Sequence, residues 1–261
     1  MREILSDLVA EQQQLDQFLQ TLRDRQWATK TPAAGWTIQD TVSHLAYTES
    51  VAAEVLTDGR GRLDDEKITD LDSWTEIGVS QGRGRRHQEI IEWWRFGRAD
   101  VVDALSRMLA TDRVPWIHGD LSAKTFATLR LMETWAHGLD IKAAILDRVT
   151  PLDELPEDDE EYEDPLADTM RLRHIAYLGQ KTLPFAFEQA GETYPEQGIR
   201  VEVMGPLYAA WRFGPEDTDQ VIKGMAGDWC RLVVQRSTAD ETGLKAVGED
   251  AEKALLIAKV Y

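Results

Sequence analysis

Hydrophobic residues recur at helical spacing through the first ~150 residues. In residues 3–26, Ile4, Leu8, Leu15, Phe18, Leu19 and Leu22 fall on one stripe, separated by Gln, Asp and Glu, the pattern of an amphipathic helix. The stretch TPAAGW breaks it. Thr37 then opens a second helix, with Asp40 three residues on approximating a capping box, and this helix runs to the Asp58-Gly59 turn. A polar stretch to about Ser73 reads as loop. A third, long helix is expected from Trp74 to Leu109, its start blurred by Gly82 and Gly84, with Pro115 stopping any continuation. Ser122 caps a fourth, SAKTFATLRLMETWAHGLDIKAAILD. Four long amphipathic helices are what a helix bundle requires.

The period changes further on. Residues 165–190 still read as helix. IRVEVMG and LYAAWRFG then alternate apolar and polar residues, as two strands joined at Gly205-Pro206 would. AGDWCRLVVQR reads as a helix, LKAVGED as a short strand and turn, and DAEKALLIAKVY as a terminal helix. The expected organisation is a helical domain over 1–150, an acidic linker over 151–164 and a small α+β domain over 165–261.

Charge and composition narrow the function classes. Lys and Arg total 29 against 47 Asp and Glu, a net charge of −18. Such a surface repels phosphate backbones, and no basic stripe with interleaved aromatics offsets it, so nucleic acid is not an expected partner. Residues 153–164 (DELPEDDEEYED) supply nine acids and no base, which reads as a solvated linker. No apolar run is long enough to span a membrane. The N-terminus lacks the apolar core of a signal peptide, so a cytoplasmic protein is expected. The one cysteine, Cys230, cannot form a disulfide within the chain; among Trp229, Leu232 and Val233 it reads as a buried small hydrophobe. No glycine-rich phosphate loop or dinucleotide fingerprint is present.

The sharpest chemical signal is RLMETWAHGLD. Glu133 and His137, at i and i+4, leave one helix face a turn apart. His44, among Val42, Leu45 and Tyr47, lies in the apolar part of the second helix. Bundles build metal sites from inward-facing side chains on facing helices. Two imidazoles and a carboxylate leave a fourth position open for water or substrate, as catalytic zinc sites do. The same spacing also fits a simple hydrogen-bonded Glu–His pair, with His44 a core histidine. Asp40, four residues before His44, and Asp140, three after His137, are each placed to orient an imidazole through its other nitrogen or to act as ordinary capping or surface acids. Arg130, three residues before Glu133, has the spacing of an ion pair along the helix.

GWTIQDTVSHLAYTE, RLMETWAHGLD, RLRHIAYLGQ, VEVMGP and WCRLVVQR together resemble the mycothiol-dependent maleylpyruvate isomerase family, and within it a branch of actinobacterial metal-binding proteins. The likeness covers nearly the whole chain. It implies a DinB-like four-helix bundle followed by an α+β domain similar to sterol-carrier folds, and it implies that the family's metal ligands fall on His44, Glu133 and His137. Zinc suits such a set best, with nickel, iron or manganese as alternatives. The chain departs from the branch's pattern in Trp116-Ile-His-Gly-Asp-Leu121, which brings His118 and Asp120 into a loop able to line a substrate pocket. Glu133 lies roughly 18–20 Å beyond Asp120 along the helix, which places His118 too far away to be a ligand. His87 reads as an exposed helix-start histidine and His174 as part of the second domain's core or interface. Trp36, Trp116 and Trp135 read as packing residues, any of which could wall a pocket. Arg231 and Arg236 are candidates for reaching a substrate carboxylate.

The expectation is a cytoplasmic enzyme, monomer or homodimer: a metal-dependent thiol transferase or isomerase acting on a small electrophile, with mycothiol as the thiol that the family implies. Asp140 and Arg130 are its candidate catalytic residues beside the ligand set. A metal-dependent hydrolase or cyclase, and a non-catalytic small-molecule-binding protein, are the alternatives.

Overall fold

The computed structural model describes residues 1–33, 35–65, 70–117, 119–149 and 164–260. The chain divides into two compact units, Met1–Leu166 and Ala167–Tyr261. Most of the acidic run, 153–163, lies outside the described residues.

The first unit is helical. α1 spans Arg2–Thr21, α2 Ile38–Asp58, α3 Gly61–Asp65, α4 Leu71–Gly82, α5 His87–Ser106 and α6 Ala123–Val149. A two-residue antiparallel pair, β1 (Arg113–Val114) with β2 (Leu121–Ser122), leads into α6. α2 is the central element, packed against α4, α5 and α6, while α1 packs against α6 and α5. Leu15, Leu19, Trp27, Val42, Leu45, Ile90, Trp94 and Ile141 share one core, and each such side chain stabilises the fold by about 1.5–3 kcal/mol through removal from water.

Because α2 is covered on nearly every side, its hydroxyls are buried as well. Thr41, Ser43 and Thr48 each donate to the carbonyl four residues back, at 3.0, 2.7 and 3.0 Å, which spares them an unpaired burial. α4 approaches closely through small residues. A Cβ at Gly82 would sit 1.8 Å from Ser43 Oγ, and one at Gly78 would sit 2.4 Å from Tyr47 Cβ.

The helix starts follow their capping residues. The Thr37 Oγ1 accepts from Asp40 N, while Asp40 Oδ2 accepts from Thr37 N at 2.9 Å. Asp70 accepts from Ser73 N at the start of α4.

Several boundaries differ from the sequence reading. The first helix ends at Thr21, and Asp24–Ala28 forms a separate 3-10 turn. The polar stretch before Ser73 contains α3 and the first turn of α4. The long third helix is two helices, broken at 83–86, where Glu89 turns back to accept from Arg86 N and its guanidinium and so starts α5 afresh. His87 then stacks on Trp27, ring centroids 4.7 Å apart and nearly parallel. Asp16 of α1 receives Arg95 and Arg98 of α5. Burial raises the Asp16 carboxyl, but the hydrogen bond from Arg95 and the two guanidinium charges outweigh it and hold the group below its usual range.

The second unit is α+β. α7 (Leu172–Lys181) and α8 (Leu183–Gln189) replace the single expected helix, with Pro184 beginning the second. The sheet runs β4 (Ala210–Phe213), β3 (Arg200–Met204), β5 (Val221–Met225), β6 (Lys245–Val247). β3 is antiparallel to β4, with Val201 opposite Phe213, and parallel to β5, with Val201 opposite Ile222. The sequence reading did not separate β5, a short strand interrupted by Gly224. Val201, Val203, Trp211 and Ile222 are buried on one face. The other face carries Glu202 among Arg200, Arg212 and Lys223. α9 (Ala226–Val233) crosses α7 where Gly179 leaves room for Trp229 and Val233, and Trp229 Nε1 donates to the Ala176 carbonyl. α10 (Glu249–Ile257) closes the chain. No helix among the described residues is long and apolar enough to cross a membrane.

Candidate metal centre

Two helices of the first unit supply the site. α6 projects Glu133 and His137 from one face, and the buried α2 brings His44 against them. His44 Nε2 lies 3.4 Å from Glu133 Oε2, and His137 Nε2 lies 3.7 Å from the same oxygen. The two imidazoles meet edge to face with centroids 4.8 Å apart. One donor atom from each of the three residues lies within 4.8 Å of the others. Trp36, just before α2, lies across both rings at 5.0 and 5.9 Å. Side-chain exposure rises from 6% at His44 to 12% at His137 and 18% at Glu133, so the cluster is open toward solvent on the α6 side.

The protonation states suit ligation, which needs a neutral imidazole and an ionised carboxylate. Burial lowers the His44 pKa, with Glu133 opposing it. At Glu133 burial pushes upward, but the His44 hydrogen bond and the charges of His137 and Arg130 overcome it and hold the carboxyl down at about 2. The spacings are longer than a charge-assisted hydrogen bond of about 2.7–2.9 Å. They lie near the edge of about 3.3–3.5 Å that a tetrahedral ion with bonds of about 2.0–2.1 Å would set between its ligands. Two imidazole nitrogens and a carboxylate oxygen disposed in this way can hold a divalent transition metal.

Around this group, His137 Nδ1 lies 3.2 Å from Oδ2 of the buried Asp140, the contact that fixes an imidazole so that its Nε2 points at the shared oxygen. Asp40 does not serve His44 in the same way. Its carboxylate caps α2 and accepts from Arg83 Nε at 3.2 Å, leaving the buried His44 Nδ1 without a hydrogen-bond partner. Arg130 makes no ion pair with Glu133. It is buried, its Nε and Nη1 have no hydrogen-bond partner, and its guanidinium carbon lies 5.1 Å from the Trp116 ring and 5.8 Å from Phe126.

A residue absent from the sequence reading stands nearby. Glu49 of α2 is fully buried, with neither carboxylate oxygen hydrogen-bonded. The signal for it was slight: Glu49 lies between Tyr47 and Val51-Ala52 in the middle of a helix whose other acids, Asp40, Glu54 and Asp58, lie toward its ends.

Comparisons with known proteins place the chain among its relatives. Residues 8–142 match the family model described as mycothiol maleylpyruvate isomerase N-terminal domain. Uncharacterized proteins of Mycobacterium tuberculosis strains CDC 1551 and H37Rv are each 34% identical over 259 residues, covering 98% of this chain and 94% of the relative. The chain belongs to this family. Crystal structures of the mycothiol-dependent maleylpyruvate isomerase and of a histidine-to-alanine mutant of it share the fold at TM-score 0.57. The identities are 15% and 14%, over 94% of this chain and 92% of theirs.

The family match spans His44, Glu133 and His137 and ends before the second unit. The remaining sequence candidates have structural occupations. His118 lies outside the described residues, and Asp120 is exposed, its carbonyl accepting from Arg113. Arg231 pairs with Asp168 at 2.8 Å, and Arg236 donates to the Val234 carbonyl. His174 is buried. Burial raises the Cys230 thiol well above its usual range, which rules against a thiolate nucleophile at neutral pH.

Proposed function

We propose that the chain is a metal-dependent, thiol-dependent isomerase or S-transferase acting on a small electrophile. The observation behind this reading is the convergence of His44 Nε2, His137 Nε2 and Glu133 Oε2 on one point that is partly open to solvent. Family membership favours mycothiol as the thiol and an activated double bond, as in maleylpyruvate, as the electrophile. In this reading α1, α2, α5 and α6 form a DinB-like bundle holding zinc, and the second unit is a sterol-carrier-like domain.

His44, Glu133 and His137 hold the ion, and Asp140 keeps the His137 ring in the tautomer that offers Nε2. A divalent ion bound there supplies Lewis acidity that keeps a thiol sulfur deprotonated at neutral pH. Trp36 shields the two imidazoles from water. Arg130 places a buried positive charge beside the carboxylate ligand, favouring an anionic sulfur or a substrate carboxylate. In an isomerisation the sulfur adds to one carbon of the double bond, the adduct rotates about the resulting single bond, and the sulfur leaves with its electron pair as the double bond reforms. In a transfer the adduct takes up a proton and is the product.

The test is an assay of zinc-loaded protein with mycothiol and maleylpyruvate, following cis–trans conversion by absorbance and adducts by mass spectrometry. Thiol-dependent conversion that disappears in His137→Ala supports the reading. Absence of any thiol-dependent reaction with mycothiol, glutathione or cysteine across a panel of electrophiles would overturn it.

A further inference from the structure

We propose that Glu49 is the proton acceptor of the His44–Glu133–His137 site, taking up the proton that a thiol loses when its sulfur enters the site. This rests on the thiol reading above. Glu49 and Arg130 are both buried and opposite in charge, yet they do not pair. Neither Glu49 oxygen has a hydrogen-bond partner, and Nε and Nη1 of Arg130 have none. A buried carboxylate left like this is unfavourable unless it takes a proton or meets a polar partner. In this proposal, water bridging the unpartnered acceptor and the unpartnered donors would give the proton its route.

The packing keeps the acid in place. The α5 backbone presses against α2 so closely at Gly97 that a Cβ there would sit 3.1 Å from Glu49 Cβ. The charged groups acting on Glu49 are Arg130 and Glu133 from α6 and Arg98 from α5; among the described residues none from α3 or α4 does so. Arg130 also acts on His44 and Glu133, so a single buried cation links the acid to the ligand set. Burial raises the Glu49 carboxyl from 4.5 to about 7, with Glu133 adding to the rise and Arg130 and Arg98 restraining it. The proton balance is simple. The S–H bond breaks, the sulfur keeps the electron pair, and the proton ends on a Glu49 oxygen, a site made more basic by the negative charge that has arrived nearby.

Glu49→Gln keeps the shape and removes the titration, and two measurements on the full chain use it. In metal-free protein the folded state holds the Glu49 proton to higher pH than the unfolded chain. The folding constant of wild type relative to Glu49→Gln therefore falls roughly 140-fold between pH 4.5 and pH 8. A pH-independent ratio overturns the assignment. If Glu49→Gln does not fold, the infrared carbonyl band of a protonated carboxylic acid in wild type must fade as the pH rises through 7, and a band that never appears overturns it too.

In zinc-loaded protein at pH 7.5, calorimetry of mycothiol binding in buffers of different ionisation enthalpy counts the protons released. Glu49→Gln is expected to release up to one more proton per thiol than wild type, whereas a purely structural Glu49 would alter stability and leave that count unchanged. Equal counts with thiol bound overturn the role of Glu49 alone. Failure of mycothiol to bind either protein overturns the thiol reading and this role with it, and the metal-free titration then reports only on the buried acid.

Discussion

Asp140 offers the most quantitative handle on the site. Its Oδ2 lies 3.2 Å from His137 Nδ1 while the opposite nitrogen of the ring faces Glu133 at 3.7 Å. Removing the carboxylate frees the ring to rotate and removes the negative charge that makes Nε2 a stronger donor. Losing such a partner behind a ligating histidine typically weakens metal binding about 10- to 100-fold. At about 1.4 kcal/mol per tenfold that corresponds to about 1.4–2.8 kcal/mol. The two available substitutions separate orientation from charge. Asp140→Asn retains an oxygen that can accept from Nδ1–H, so it should fall at the lower end of that range, whereas Asp140→Ala loses both contributions and should fall at the upper end. The assay is competition for zinc against a chromophoric chelator at pH 7.5, with urea unfolding of each metal-free variant run alongside to show that the fold persists. Wild-type affinity in both variants, with the fold intact, would refute the idea that Asp140 positions His137 for a metal.

Other consequences follow from the packing and the charges. Asp16→Ala removes the acid that the half-buried Arg95 and Arg98 share; a loss of about 1.5–3 kcal/mol in urea unfolding is expected from the lost charge-assisted hydrogen bonds, and a change under about 0.5 kcal/mol would contradict it. Gly82→Ala drives a Cβ into Ser43 and should destabilise by about 1–3 kcal/mol. Gly61→Ala, with nothing within 4 Å of its new Cβ, should be neutral or slightly stabilising by thermal unfolding; equal effects at the two positions would be evidence against the close α4–α2 approach. The Glu133 carboxyl is held below its usual 4.5, at about 2. The stability it lends the metal-free protein is therefore complete above about pH 4.5 and is lost as the pH falls toward 2. Glu133→Gln should flatten that acid limb, and an unchanged slope would show that the carboxylate is not held by the two histidines.

The parts of this fold that were legible in sequence are those set by local spacing. Thr37 and Asp40 announced the start of α2, and the i,i+4 pair Glu133–His137 had to share a face once α6 was recognised as a helix. The proximity of His44 is a long-range fact, fixed by how α2 packs on α6; its apolar setting made it a candidate, and the family resemblance then singled it out. The break between α4 and α5 was hidden because Trp74, Val79, Ile90 and Trp94 keep an apolar rhythm across it, and the new start at Arg86 depends on Glu89 reaching back. β5 was missed because Val-Ile-Lys-Gly-Met is short and carries a glycine. Arg130 was misjudged for a related reason. Its spacing allows an ion pair with Glu133, but the side chain instead lies near Phe126 of the same helix and over Trp116, the latter contact made only when the segment before α6 folds against it. Asp40 likewise had two possible uses, and the cap took it.

The central claim is that His44, Glu133 and His137 bind a metal together. The most direct test is the metal content of the full-length protein, prepared without a histidine tag, beside His44→Ala and His137→Ala. Near-stoichiometric zinc or another divalent transition metal in the parent, lost in both folded variants, is the predicted result. A parent that stays folded without metal and takes up no added zinc, nickel, iron or manganese would contradict it.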